Sequence, residues 1–166
     1  MLGLPPTHRI DRQLLERVYL ERSASVHPDR FTGAAAAEQR QAMERASALN
    51  QAYRTLRDPV LRAEYLVKLG GIDLDSSDPH EGAPNPGQAF LLDMIARREQ
   101  LDEARQAGTA ALEHMRDQVE QEAHRAFERA LEALEACETQ RAAHQLVARR
   151  YLQRLLEEID DTQVES

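Results

Sequence analysis

One proline between two amphipathic runs constrains this chain more than any other residue: Pro28, within Val26-His27-Pro28-Asp29-Arg30-Phe31. Proline fixes its own φ, has no backbone N–H and pushes the residue before it out of the α region, so a helix arriving from the N-terminal side stops at His27. The turn is stiff. It holds an imidazole and a carboxylate two residues apart, an arrangement open to use either as a catalytic pair or as a docking point.

The flanking runs read as a helical hairpin. Asp11 is suited to cap a helix over 11–26, with Leu14, Leu15 and Val18 at helical spacing. A second pattern runs from Ala34 through Met43, Ala46, Leu49, Tyr53 and Leu56 to Arg57, where Asp58-Pro59 stops it. The short connection makes the two antiparallel, burying Leu14, Leu15 and Val18 against Ala46, Leu49 and Tyr53. A third helix, 60–69, offers Leu61, Tyr65, Leu66 and Leu69 to close the core and ends at Gly70-Gly71. The apolar lead, 1–6, is expected to pack as an arm.

Of 166 residues, 42% are apolar but only 4% aromatic, with no Trp, while Ala, Leu, Glu, Arg and Gln abound. That is a helical composition, and almost no sheet is expected. The single cysteine, Cys137, excludes an internal disulfide framework and a cysteine-ligated zinc or iron–sulfur site within one chain. No apolar run approaches the ~20 residues of a membrane span, and the N-terminus lacks signal-peptide character, so a soluble cytoplasmic protein is expected. Charge is uneven: 1–70 carries 11 Lys and Arg against 8 Asp and Glu, net +3, whereas 71–166 carries 10 against 21, net −11. The asymmetry suggests either two modules with different partners or simply exposed helices that are acidic, and the acidic half argues against nucleic acid.

Residues 73–87 are polar and rich in proline and glycine, which reads as a linker. Beyond it come three helical patterns, 88–106, 110–136 and 138–159, with turns at Gly108 and around Cys137, hence a three-helix bundle. In the first of these, Phe90, Met94 and Leu101 fall within about 40° of one another and form a packing seam. Leu91, Leu92 and Ile95 lie about 100° to 200° around, beside Arg98 and Glu99. They are either extra core or an exposed apolar strip rimmed by charge, the look of a protein-binding surface. No nucleophile motif, phosphate loop or His-Glu-x-x-His spacing accompanies His27 and Asp29, and the other histidines are scattered, so neither catalysis nor a metal or other cofactor is expected.

The order helix, His27-Pro28-Asp29, helix, then Leu49-Asn50-Gln51-Ala52-Tyr53-Arg54-Thr55-Leu56-Arg57-Asp58-Pro59 and Arg62-Ala63-Glu64-Tyr65 resembles the J-domain of DnaJ-type co-chaperones. The continuation Leu66-Val67-Lys68-Leu69-Gly70-Gly71-Ile72-Asp73-Leu74, with an acidic helical half behind it, resembles the HscB family, J-proteins of iron–sulfur cluster assembly. The resemblance implies a J-domain over 1–72, a linker over 73–87 and a scaffold-binding bundle over 88–166. It also implies two partners. A DnaK-type chaperone of the HscA kind would be met by His27, Pro28 and Asp29, with Arg22 and Arg30 as the arginines nearest the loop. An IscU-type scaffold would be met by Leu91, Leu92, Ile95, Arg98, Glu99 and Tyr151.

Two residues or regions depart from the family pattern. Ala96 stands where an acidic residue is common, and Arg12, Arg17 and Arg22 on the first helix are balanced by Asp11, Glu16 and Glu21, which weakens electrostatic steering. The alternative is a J-protein delivering other clients to a general DnaK-type chaperone. A bacterial cytoplasmic monomer is the default expectation.

Overall fold

The computed structural model describes residues 2–27, 33–78 and 80–164. Among them are six helices and no strand: α1 Arg12–Val26, α2 Ala36–Arg57, α3 Pro59–Leu69, α4 Gln88–Ala107, α5 Thr109–Glu135 and α6 Thr139–Val164. The all-α class is as expected, and the helix limits fall within a few residues of those read from the caps. The chain packs as two compact units, Met1–Leu66 and Val67–Ser166. That division lies inside α3, upstream of the 73–87 segment.

In the first unit Asp11 caps α1, its carboxylate accepting from the Gln13 and Leu14 amides at 2.9 and 3.1 Å. Asp58 ends α2 and caps α3, accepting from the Val60 and Leu61 amides at 2.7 and 2.9 Å. The core is small. Leu2, Leu15 and Leu49 are buried, with Leu4, Ile10, Val18 and Tyr53 packed against them. Tyr19 stacks on Tyr53 at 4.1 Å between ring centroids and donates from its hydroxyl to Asn50 Oδ1 at 2.9 Å. The N-terminal arm therefore contributes to the core, whereas Leu14 and Ala46 are only half-buried.

The face of α3 differs from the sequence reading. Leu61, Tyr65 and Leu69 are exposed, and Arg62, Ala63 and Val67 are buried instead. Arg62 supplies the reason. Its guanidinium donates to the Leu56 carbonyl, left unpaired where α2 ends, and its Nε to the His8 carbonyl at 2.9 Å. Burial, and then the neighbouring Arg12 charge, lower the Arg62 pKa, while Asp58 acts in the opposite direction.

In the second unit α5 and α6 run antiparallel. At one end their seam is lined by Ala126, Ala130 and Ala133 on α5 and by Ala142 and Ala143 on α6, small side chains that let the backbones approach, with Leu146 buried beyond them. At the other end α4 joins, placing Met94 and Leu101 against Leu112, Met115 and Val119 of α5 and Leu152, Leu155 and Ile159 of α6. The third helix of the bundle, 20 residues against the 27 of α5, thus stops short of the far end of the hairpin. Gly108, at φ +101°, makes the single-residue turn between α4 and α5. Cys137, at φ +58°, takes the left-handed position after α5, with the Glu138 amide donating to the Ala133 carbonyl at 2.8 Å.

The 73–87 segment, read as a linker, is part of this unit. The Asp73 amide donates to the Glu81 carbonyl at 2.6 Å, Asp73 and Gly82 form an isolated bridge, and Leu74 is buried. Lys68 meets Asp73 at 2.6 Å, raising the lysine pKa and lowering that of the carboxylate. Arg150 of α6 donates to the Leu74 carbonyl at 3.0 Å and to Asp75 at 2.9 Å. The segment forms a strap along α6.

Candidate functional site

The first candidate lies where α1 stops. His27 is exposed at the C-cap with φ −61° and ψ 128°, the extended geometry that a following proline imposes. Arg22, one turn earlier, is exposed, and its carbonyl accepts from the Ser25 hydroxyl at 2.7 Å. Pro28, Asp29 and Arg30 lie outside the described residues.

The second candidate is on α4. Leu92 and Ile95 are 58% and 54% exposed, among the most exposed large apolar side chains of the chain. Because Met94 and Leu101 take the inward face, residues at the angle of Leu92 and Ile95 have no helix to pack on. Leu91 is half-buried and lines a groove of about 440 Å³ with Leu74, Pro84, Pro86, Val147 and Tyr151. Tyr151 meets Phe90 edge-on at 5.7 Å and 81°, and Arg154 lies over its ring at 5.7 Å. Leu91 and Tyr151, proposed from the resemblance alone to share a surface, therefore line one groove.

Arg98 and Glu99 differ from each other. Arg98 makes a two-pronged ion pair with Glu158 of α6 at 2.8 and 3.2 Å, which raises its pKa and ties α4 to α6. Glu99 is exposed on α4. Arg97 links Asp93 at 2.7 Å to Glu122 of α5 at 2.8 Å, so charged pairs anchor both sides of the helix that carries the ridge.

Sequence reasoning missed the strap wall and the arginines beside it. The spacing of Tyr151 and Arg154 is the helical i, i+3 signal that could have linked those two. Nothing local could have joined Arg150 to Asp75, and Glu158 is likewise 60 residues from Arg98. Among the described residues, no helix is long and apolar enough to cross a membrane.

Residues 87–160 match the family model described as the HSCB C-terminal oligomerisation domain. The co-chaperone protein HscB homolog of Bordetella avium is 48% identical over 105 residues, 63% of this chain and 60% of that protein, so the match spans less than two thirds of the relative's length. The HscB homolog of Neisseria meningitidis serogroup C is 35% identical over 160 residues, covering 96% of this chain and 94% of the relative. The solved structure of chaperone HscB from Vibrio cholerae superposes with a TM-score of 0.78 at 28% identity, over 99% of this chain and 95% of that one. Relatives matched over nearly the whole chain are co-chaperones, and a solved one shares this all-helical fold, which places the chain in the co-chaperone class. It belongs to the HscB family of co-chaperones.

Proposed function

We propose that this chain carries an IscU-type iron–sulfur scaffold to a DnaK-type chaperone of the HscA kind and stimulates that chaperone's ATP hydrolysis, promoting cluster transfer. Residues 1–72 serve as the J-domain and 88–166 as the scaffold-binding domain, in a bacterial cytoplasm. His27, Pro28 and Asp29 dock on the chaperone, with Arg22 and Arg30 alongside. Pro28 holds the turn in shape, so docking orders little chain, and Asp29 is placed to accept charge-assisted hydrogen bonds from a partner arginine.

No chemical group passes from this protein to the phosphate. It favours the chaperone conformation competent for hydrolysis, so catalysis belongs to the partner. The scaffold meets Leu91, Leu92, Ile95, Arg98, Glu99 and Tyr151, with Arg98 held in place by its pair with Glu158 of α6.

The observation that carries the reading is the exposed Leu92 and Ile95 ridge in a chain of this family. Two variants test it. His27→Gln should abolish stimulation of the chaperone's ATPase and leave scaffold affinity unchanged. Leu92→Ala with Ile95→Ala should weaken scaffold binding about tenfold or more without moving the melting temperature, since both side chains already face water. Unchanged ATPase stimulation by the first, or unchanged binding by the second, rejects the corresponding half.

A further inference from the structure

We infer that the groove between the strap and the α4–α6 corner is a specificity subsite: it seats an apolar side chain of the scaffold and sets a neighbouring carboxylate of that partner against Arg154. This rests on the scaffold-binding reading above and names what that site selects.

The strap makes a wall with fixed geometry. Arg150 holds it at the Leu74 carbonyl and at Asp75, and Leu74 is buried, so Pro84 and Pro86 face Leu91, Val147 and Tyr151 across the groove of about 440 Å³. Two prolines and aliphatic side chains need little reordering to receive a guest. The groove is also continuous with the ridge. Leu91 precedes Leu92 and lies one turn before Ile95 on α4, so a partner resting on the exposed pair reaches the groove without leaving the surface.

Charge names the guest. The groove is lined by Arg150 and Arg154 and by no acidic residue. The Arg150 charge is answered by Asp75, whereas Arg154 lies over Tyr151 with no carboxylate partner among the described residues. Residues 71–166 as a whole carry a net −11, so an acidic side chain is repelled over most of this unit and attracted here. That contrast fixes register: an aliphatic residue with an adjacent Asp or Glu fits in one orientation, and its reversal meets acidic faces.

The test is titration calorimetry of the full chain with a purified IscU-type scaffold, each variant checked by melting. Arg154→Glu and Pro84→Glu should each weaken binding about tenfold, Arg154→Lys should stay within about threefold of the parent, and Arg129→Glu, an exposed α5 site outside the groove, within about twofold. The Arg154→Glu penalty should shrink as salt is raised, while that of the Leu92 and Ile95 double variant should not. If the double variant loses binding but Arg154→Glu and Pro84→Glu keep it, the inference falls and the proposed function stands. An equal loss from Arg129→Glu also overturns it, since only overall charge would matter. A parent chain that binds no scaffold overturns both.

Discussion

In the first unit a short hairpin closes over three buried leucines, Leu2, Leu15 and Leu49, whereas in the second an unbroken seam runs from Leu112 to Ala133 on α5 and from Ala142 to Ile159 on α6. The small core is completed by polar links, Tyr19 to Asn50 and Arg62 to two carbonyls. The large one is nearly all apolar and is braced from outside by Arg98–Glu158, Arg116–Asp160 and Arg97–Glu122. The surface proposed to meet a partner arises differently in each. In the first unit it is where a proline forbids the helix from continuing; in the second it is apolar surface that α4 carries in excess of what the seam can cover.

The sharpest way to break this comparison is to cut each core separately. Leu15→Ala and Leu155→Ala should each cost about 2–5 kcal/mol, the usual range for emptying a buried leucine site. Hydrogen exchange read by peptide should show the first loosening residues 12–57 and the second 88–160. Loosening of both units by either variant would mean that they do not hold their cores independently.

A smaller effect tests whether the strap belongs with the bundle. A Cβ on Gly82 would collide with the backbone carbonyls of Asp78 and Ser76, so Gly82→Ala must open the loop, at a cost of about 1–3 kcal/mol. The Asp73 and Gly82 amides should then exchange faster, while the α5–α6 turn is unaffected. Smaller still is Cys137→Gly, which relieves a left-handed residue and should stabilise the second unit by up to about 1 kcal/mol in chemical denaturation.

Least of all is the pH dependence of the Lys68–Asp73 pair. Asp73 is lowered by its hydrogen bond from Lys68, so its contribution is present above the unfolded carboxylate value of about 3.9 and is lost as pH falls through the lower folded value. Lys68 is raised by the same bond, so its part is present below about 10.4 and is lost as pH rises through the higher folded value. Strap amide protection should therefore be flat across neutral pH and fall at both extremes. A step near pH 6 would point to another group.

Four of the helix boundaries were legible because they are written in a cap or breaker: Asp11, His27 before Pro28, Asp58 before Pro59, and Gly108; the uncapped start of α2 and the end of α6, read at 159 and found at Val164, were not. The inward face of α3 was not. Periodicity favours large side chains, and so picked Leu61, Tyr65 and Leu69, whereas close packing selected Ala63 and an arginine with two carbonyls to satisfy. The exposed strip was half legible, since helical angle sets Leu92 and Ile95 apart from Met94 and Leu101 but cannot say that Leu91 turns into a groove. The strap was illegible because composition reports flexibility in the unfolded chain, while its order comes from the Asp73–Glu81 and Lys68–Asp73 links and from Arg150, far along the sequence.

The exposed thiol at the α5–α6 turn gives this architecture a built-in ruler. Cys137 is the only cysteine in the chain, and Tyr151 stands 12 residues beyond the start of α6, about 18 Å along its axis. A nitroxide attached there would sit close enough to broaden the resonances of any client resting on the groove. Which client atoms fade would chart how it lies.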